Sequence, residues 1–222
     1  IAGDAKTVLE ALLPDLTAKQ ESGGAAAATA ARTAAKEEIG PRLRSHLEVV
    51  KIIRDTLPST IIVGDSAQPI YAANLYYDHD RPSGWFNSAT GFGALGYAAP
   101  ASVGAQLGAP GSTVVCLTGD GGLQFSLAEL GSAKDIDAPV IFVVWNNNGY
   151  QEIETSMVDA GIKPVGVTPQ APDFGLIAKS YGIDFARPTS LGAFAKVLKA
   201  AKETNAIFLI DLDEMVAESG KA

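Results

Sequence analysis

The stretch VVCLTGDGG, residues 114–122, passes from an apolar run into a turn that places three glycines around Asp120. A second stretch, VIFVVWNN, residues 140–147, ends a similar run on Asn146 and Asn147. Apolar runs of this length between turn residues are typical of strands buried on both faces of a parallel sheet. Open α/β sheets bind ligands at the carboxyl ends of their strands, so Asp120 and Asn147 are predicted to meet at a binding site.

The residue types at these two strand ends indicate what the site binds. A carboxylate and a carboxamide offer the hard oxygen ligands that Mg²⁺ prefers, and Mg²⁺ usually shares its coordination with phosphate groups. The glycines after Asp120 allow backbone N–H groups to approach an anion at the start of a helix. Together the two motifs predict a Mg²⁺–diphosphate site.

The rest of the sequence alternates apolar runs with amphipathic segments, which favours a doubly wound α/β fold. We expect a parallel sheet of about six strands with helices on both faces. An amphipathic segment is predicted over 123–136, and further helices near 43–58, 98–107 and 190–202. Besides the two runs above, strands are predicted at 60–63, 183–186 and 206–212.

Composition narrows the classes of protein to which the chain could belong. The 222 residues are 47% hydrophobic, which is ample for a core, and the net charge of −8 argues against nucleic acid or an anionic membrane as the main partner. No apolar run approaches the roughly 18 residues of a membrane-spanning helix. The single cysteine, Cys116, lies within a predicted strand and is expected to be a small core residue. These features fit a cytoplasmic enzyme.

The Gly-Asp-Gly triplet at 119–121 and the Asn pair at 146–147, taken at their spacing, resemble the thiamine diphosphate motif. The triplet alone occurs in many loops, but the pair, each part following an apolar run, is specific. From about residue 42 onward the chain is similar to the carboxyl-terminal domain of the acetolactate synthase and 2-oxo acid decarboxylase superfamily. The resemblance implies thiamine diphosphate and Mg²⁺ as cofactors.

The resemblance also implies the residues that hold these cofactors. The metal ligands would be Asp120, Asn147 and the main-chain carbonyl of Gly149. The loop at 64–68 would contact the diphosphate through the backbone of Ala67 and the side chain of Gln68; the alternative is an ordinary turn capped by Ser66. The expected cofactor-binding residues are Ala67, Gln68, Gly93, Leu95, Gly119, Gly121, Gly122, Asn147, Gly149, Tyr150 and Gln151.

Two residues are assigned to catalysis by the resemblance. Leu95 takes the place of the bulky apolar residue that supports the bent cofactor; the alternative is that Leu95 is plain core. Glu152 would face the substrate, although a solvated helix glutamate is an equal alternative. Many relatives carry Gly where Gln151 stands, and Gln would be strained there if the position required a positive φ.

The substrate predicted by the resemblance is a 2-oxo acid. The stretches GDSAQP (64–69) and WNNNGY (145–150) look most like decarboxylases of 5-guanidino-2-oxopentanoate, so Glu152 could pair with a guanidinium group. Leu95 stands where acetolactate synthases usually carry Met. A competing hypothesis from another class is a non-catalytic module of the same fold that binds a nucleotide or a cofactor.

The resemblance further implies a division of the chain and partners for it. We expect residues 1–16 to be the tail of a missing middle domain, 17–40 an Ala-rich linker that is disordered or loosely helical, and 41–222 the diphosphate-binding domain. The glutamate that activates the cofactor belongs to a separate pyrimidine-binding domain, of the same or a second subunit in a homodimer or tetramer. The chain is therefore expected to be half of an active site. His46 is expected to be surface or partly packed, and His79 to lie in a solvated loop.

Overall fold

Six parallel strands form one sheet, as the alternation of apolar runs and amphipathic segments predicted. The structure is a computed structural model that describes residues 3–18 and 23–219. The strands are β1 Ile61–Gly64, β2 Trp85–Asn87, β3 Val114–Gly119, β4 Val140–Asn146, β5 Asp184–Ala186 and β6 Phe208–Asp213, arranged in the order β2-β1-β3-β4-β6-β5. The helices are α1 Ala5–Leu12, α2 Gly24–Glu38, α3 Pro41–Thr56, α4 Gln68–Tyr76, α5 Ala98–Gly108, α6 Asp120–Gln124, α7 Glu129–Asp135, α8 Gln151–Asp159, α9 Phe174–Tyr181, α10 Leu191–Thr204 and α11 Glu214–Ser219.

Each face of the sheet is covered by its own set of helices. Alternate side chains of a strand point to opposite faces, so Leu117 of β3 packs with α3, α4, α10 and α11, and Cys116 packs with α5, α6, α7 and α9. Cys116 is fully buried, as expected. The two apolar layers confirm the doubly wound architecture.

Five of the strands lie within two residues of their predicted limits, and β2 was not foreseen. With three residues, β2 is too short to show a period-two pattern, and its place in the sheet comes from parallel pairing with β1. The amphipathic segment predicted over 123–136 is also interrupted: α6 and α7 are separated by turns at 125–128, where Phe125 is exposed.

The chain divides into two units, Ile1–Glu38 and Ile39–Ala222. In the first unit α1 begins after its N-cap Asp4, whose carboxylate accepts a hydrogen bond from the Thr7 N–H at 3.0 Å. The segment predicted as a linker contains α2, which is helical over 15 residues and has no buried side chain. Residues 19–22 of that segment lie outside the described residues.

Both histidines are more buried than the sequence suggested. His46 is 3% exposed because α3 turns it onto the edge of the Trp145 ring, with ring centroids 5.2 Å apart. Its Nε2 lies 3.4 Å from a carboxylate oxygen of Glu214. The His79 ring is hydrogen-bonded to the Tyr77 hydroxyl at 2.8 Å and to the Thr60 carbonyl oxygen at 3.0 Å. The loop around His79 is solvated, with Asp78 and Asp80 exposed, but the His79 side chain itself is only 7% exposed.

The strand order places a crevice where the chain changes direction across the sheet. From β1 the chain continues through α4 to the edge strand β2, whereas from β3 it continues through α6 and α7, on the opposite face, to β4. Connections that diverge from two adjacent strands leave an opening at their carboxyl ends, where open α/β folds bind ligands. The loops that follow β1, β3 and β4 meet there.

Candidate functional site

A groove at the carboxyl ends of β1, β3 and β4 gathers nearly all the residues predicted for the site. Of the predicted set, Gly93 does not line the groove; it lies in an exposed loop, where its carbonyl oxygen is 3.4 Å from the Ser66 hydroxyl. The groove is lined by Ser66, Ala67, Gln68, Tyr71, Leu95, Gly119, Asp120, Gly121, Gly122, Trp145, Asn147, Gly149, Tyr150, Gln151, Glu152 and Ile153.

Asp120 is a buried carboxylate at the centre of this groove. It is the first residue of α6 and is 1% exposed, and burial raises the pKa of its side chain to about 6. Backbone N–H groups of Gly121, Asn147 and Gly149 lower this pKa in part, because they favour the charged form. Among the described residues, Asp120 Oδ2 has no hydrogen-bond partner. A buried anion that is only partly compensated is suited to a cation.

Three oxygen atoms converge beside Asp120. Asn147 Oδ1 lies 2.8 Å from the carbonyl oxygen of Gly149 and 3.2 Å from Asp120 Oδ1. All three atoms are hydrogen-bond acceptors, so they repel one another unless a cation or a donor lies among them. Oxygens that occupy adjacent octahedral positions around Mg²⁺, at 2.0–2.1 Å from the metal, are about 3 Å apart. The donor set and its spacing therefore fit Mg²⁺.

Two glycines allow the chain to pack closely around these oxygens. A Cβ atom on Gly121 would lie 2.4 Å from Cε1 of Tyr150, and one on Gly149 would lie 2.7 Å from the Val167 carbonyl oxygen. The turn after β4 has positive φ at Asn148, 59°, and at Gly149, 158°, whereas Gln151 is the first residue of α8. The glycine found at the Gln151 position in many relatives is therefore not required by this backbone, and Gln151 is unstrained.

The loop after β1 is held by Asp65, a residue for which sequence reasoning gave no role. Asp65 is fully buried, and its carboxylate accepts hydrogen bonds from the N–H groups of Ser66 at 2.7 Å, Gly96 at 3.2 Å and Ala98 at 3.1 Å. It thereby fixes the segment that carries Leu95 against the groove. The available signal was a carboxylate directly after a buried strand.

The surroundings of Leu95 and Ser66 bear on two alternatives from the sequence, that Leu95 is plain core and that Ser66 caps the turn after β1. Leu95 is half-buried and lines the groove, and it does not belong to either core layer. The cap position of α4 is taken by Ala67 without a side-chain hydrogen bond, and the Ser66 hydroxyl lies 3.0 Å from that of Ser88. A turn capped by Ser66 is thus wrong.

Polar side chains from α4, β4 and α8 form one hydrogen-bonded group along the groove wall. Gln68 Oε1 accepts hydrogen bonds from Trp145 Nε1 at 3.0 Å and from Asn147 Nδ2 at 3.1 Å. Gln68 Nε2 donates to Glu152 Oε1 at 3.0 Å. Glu152 is otherwise exposed to the groove, and the neighbouring Gln151 Oε1 accepts from Arg42 at 3.0 Å.

None of the helices within residues 3–18 and 23–219 is both long and apolar enough to cross a membrane.

Comparison with known proteins identifies a family that the chain matches. Residues 65–212 match the family described as thiamine pyrophosphate enzyme, C-terminal TPP binding domain. The chain is 35% identical over 216 residues to a probable 2-ketoarginine decarboxylase of Pseudomonas aeruginosa, covering 96% of this chain and 38% of that protein. It is 29% identical over 174 residues to the large subunit of acetolactate synthase isozyme 3 of Escherichia coli, covering 76% of this chain and 30% of that protein.

A solved structure agrees with the relatives found by sequence. The thiamine diphosphate-dependent 4-hydroxybenzoylformate decarboxylase of Rhodococcus jostii superposes with a TM-score of 0.67 at 26% identity, over 79% of this chain and 32% of that one. The matched segment begins at Asp65, directly after β1, and ends at Leu212, so it includes the loops after β1, β3 and β4 that form the groove. The chain belongs to the thiamine pyrophosphate enzyme family, of which it carries the C-terminal cofactor-binding domain.

Proposed function

We propose that this chain binds thiamine diphosphate through Mg²⁺ and serves an enzyme that decarboxylates a 2-oxo acid or joins it to an acceptor. The observation that carries the proposal is the convergence of three acceptor oxygens from Asp120, Asn147 and Gly149. The names of the relatives support the reaction class. The chain spans 38% and 30% of the first two relatives' lengths, so the activity of a whole protein is part of the proposal.

Different residues around the groove would hold different parts of the cofactor. Asp120, Asn147 and Gly149 would bind the metal, and the backbone at Ala67 and at the glycines after Asp120 would receive the diphosphate. Leu95 would support the cofactor from below. Tyr150 and Gln151, at the start of α8, would close the diphosphate end of the groove. When bound, thiamine diphosphate supplies the electron sink that allows a 2-oxo acid to lose CO₂.

The substrate we propose is a 2-oxo acid with a guanidinium group, such as 5-guanidino-2-oxopentanoate. Glu152 is exposed at the groove, and Gln68 holds one of its carboxylate oxygens, which leaves the other for a ligand. A carboxylate held in one orientation is suited to a charge-assisted contact with a guanidinium. The name of the Pseudomonas aeruginosa relative supports this assignment.

The reaction also needs a group that this chain is not expected to supply. We propose that a glutamate on a pyrimidine-binding domain, from the same or a second subunit of a homodimer or tetramer, completes the site. Residues 41–222 would be the cofactor-binding domain, 17–40 a linker, and 1–16 the tail of a middle domain. The carboxylates of Glu129, Glu152 and Glu154 lie on α7 and α8, and we assign that glutamate's role to none of them.

The test is a thermal shift with thiamine diphosphate and Mg²⁺. Ligand at about 100 times its Kd stabilises a protein by about 2.7 kcal/mol, which raises Tm by roughly 5–10 °C for a chain of this size. Asp120→Ala removes the formal charge among the three metal ligands, so the shift should disappear, while Glu154→Gln, one turn into α8, should keep it. NAD and FMN should give no shift. A full shift in Asp120→Ala, or an equal shift with NAD, would overturn the proposal.

A further inference from the structure

Gln68 is a buried amide whose two ends are both fixed by groups with a single hydrogen-bonding role. Its Oε1 accepts from the indole N–H of Trp145 at 3.0 Å, and its Nε2 donates to Glu152 Oε1 at 3.0 Å. An indole N–H can only donate, and an ionised carboxylate can only accept. Turning the Gln68 amide over would therefore break both bonds, so its orientation is determined.

The orientation of Gln68 in turn determines that of Asn147. The nearer atom of the Asn147 amide lies 3.1 Å from Gln68 Oε1, which already faces a donor and needs another, so this atom has to be Nδ2. The carbonyl oxygen of Asn147 is then left facing Asp120 Oδ1 at 3.2 Å and the Gly149 carbonyl oxygen at 2.8 Å.

Gln68 on one side of Asn147, and Asp120 with Gly149 on the other, thus favour opposite orientations of the Asn147 amide. Asp120 and Gly149 alone would favour the reversed amide, in which Nδ2 donates to both of their oxygens. The reversed amide would place two acceptors, Asn147 Oδ1 and Gln68 Oε1, 3.1 Å apart. Trp145 and Gln68 are 1% and 4% exposed, so water does not relieve such a conflict.

We propose that Gln68, held by Trp145, is a positioning residue that keeps the Asn147 carbonyl oxygen directed at the metal. This inference rests on the proposed Mg²⁺ site. Without Gln68, the Asn147 amide turns over, places its NH₂ group among the oxygens of Asp120 and Gly149, and blocks the cation. The role differs from the diphosphate contact expected from sequence, because the Gln68 side chain is engaged by three protein groups.

The experiment measures Mn²⁺ binding to the 222-residue chain by electron paramagnetic resonance, in the presence of thiamine diphosphate. Gln68→Met keeps the length of the side chain and removes the acceptor, and we expect Mn²⁺ to bind about 10–100-fold more weakly, the usual effect of losing a group that orients a ligand. Trp145→Phe should weaken binding in the same direction. Gln106→Met is the matched control: Gln106 is also buried, at 6%, on α5 away from the groove, and its loss should not change Mn²⁺ affinity.

A double-mutant cycle separates positioning from a structural effect. Asn147→Asp presents an oxygen to the metal in either orientation of its carboxylate, so in that background Gln68→Met should no longer weaken Mn²⁺ binding. An equal loss in both backgrounds would show that Gln68 only supports the fold and would overturn the inference. So would unchanged affinity in Gln68→Met. If Gln68→Met does not fold, the same cycle with Trp145→Phe decides between these outcomes.

The same titration distinguishes failure of this inference from failure of the metal site. Wild-type binding that Asp120→Ala abolishes, together with a Gln68→Met variant that binds normally, overturns the role of Gln68 alone. If the wild-type chain does not bind Mn²⁺, or if Asp120→Ala binds it as well as the wild type does, the Mg²⁺ site and the inference are both overturned.

Discussion

Asp120 and Glu152 are carboxylates in one groove whose surroundings suit them to different ligands. Asp120 is almost fully buried among carbonyl oxygens and glycines, where a compact, fully coordinated cation can replace the lost hydration. Glu152 lies on the first turn of α8 at the open side of the groove, where one of its oxygens is held by Gln68. A larger organic cation can reach Glu152 without being stripped of all its water.

Replacement of Glu152 by Gln should lower the activity towards a guanidinium substrate selectively. In a polypeptide that joins this chain to a pyrimidine-binding domain, we expect kcat/KM for 5-guanidino-2-oxopentanoate to fall by roughly 10–100-fold, the value of one charge-assisted contact. The amide of Gln can still accept the hydrogen bond from Gln68, so the groove should keep its shape. Steady-state rates with both substrates, the guanidino acid and pyruvate, measure the effect.

Pyruvate and Glu154 provide the controls for this prediction. Pyruvate has no guanidinium group, so its kcat/KM should change by less than about twofold in Glu152→Gln. Glu154→Gln, two residues further along α8, should leave both substrates unaffected. An equal loss for pyruvate and the guanidino acid would show that Glu152 does not select the substrate.

The elements around the groove are held in register by Asp65, which connects the end of β1 to the start of α5. Its carboxylate accepts the N–H groups of Gly96 and Ala98, and these lie more than 30 residues away along the chain. A carboxylate can accept from both directions at once, whereas an amide would turn an NH₂ group towards one of these donors. The charge of Asp65 therefore sets the position of Leu95 beneath the groove.

Asp65→Asn should destabilise the fold. One buried N–H would lose its acceptor, at a cost of about 1–3 kcal/mol, and Tm should fall by roughly 2–10 °C. Thermal unfolding followed by circular dichroism measures this. The matched control is Asp173→Asn: Asp173 is the N-cap of α9 and accepts from the Leu176 N–H at 3.0 Å, a position at which Asn and Asp are about equivalent. Equal Tm changes in the two variants would contradict the role of Asp65.

No side chain of helix α2 is buried in a hydrophobic core. Its 15 residues are mostly Ala, and none is buried, so they add no buried apolar side chain to the fold. We expect the shortened chain to keep its Tm within about 2 °C. Differential scanning calorimetry of the two chains makes the comparison.

Removal of α3 provides the control for that deletion. Val49, Val50 and Ile53 of α3 are fully buried against the sheet, so deletion of residues 1–57 should abolish cooperative unfolding. If the shorter deletion, of residues 1–38, already has this effect, the proposed linker contributes to the stability of the cofactor-binding domain and the prediction is wrong.

The segment 91–94 is exposed directly before Leu95, which lines the groove. These four residues are exposed, and Phe92 is fully so. Exposed apolar surface beside a binding groove is typical of an interface. We propose that this surface contacts the pyrimidine-binding domain.

The 222-residue chain alone should not decarboxylate 2-oxo acids. The residues proposed to bind the metal and the diphosphate belong to this chain, whereas the glutamate proposed to activate the cofactor belongs to the other domain. CO₂ release from pyruvate and from 5-guanidino-2-oxopentanoate, at saturating thiamine diphosphate and Mg²⁺, should stay at the level of the Asp120→Ala control. The Pseudomonas aeruginosa relative, of which this chain covers 38%, serves as the positive control. Turnover that matches the positive control would show that a carboxylate of this chain takes the role proposed for that glutamate.

Short stretches of the sequence predict the sheet and the polar residues at its edge. Apolar runs such as Val114–Gly119 can be satisfied only by burial on both faces, so they predict parallel strands without knowledge of their neighbours. Asp120 and Asn147 directly follow two of these runs in the sequence, so they are placed at strand ends. Their side-chain oxygens indicate a hard cation. Both inferences depend on properties that belong to a residue and its nearest neighbours along the chain.

The orientation of the polar groups depends on contacts between distant parts of the chain. His46 is buried because α3 places it on Trp145, about 100 residues later in the sequence. Asp65 is paired with the start of α5, and the Asn147 amide is oriented by Gln68, 79 residues earlier. The direction of a buried hydrogen bond depends on the partner that packing brings within about 3 Å. Such partners lie far apart along the chain, so no local pattern of residues records them.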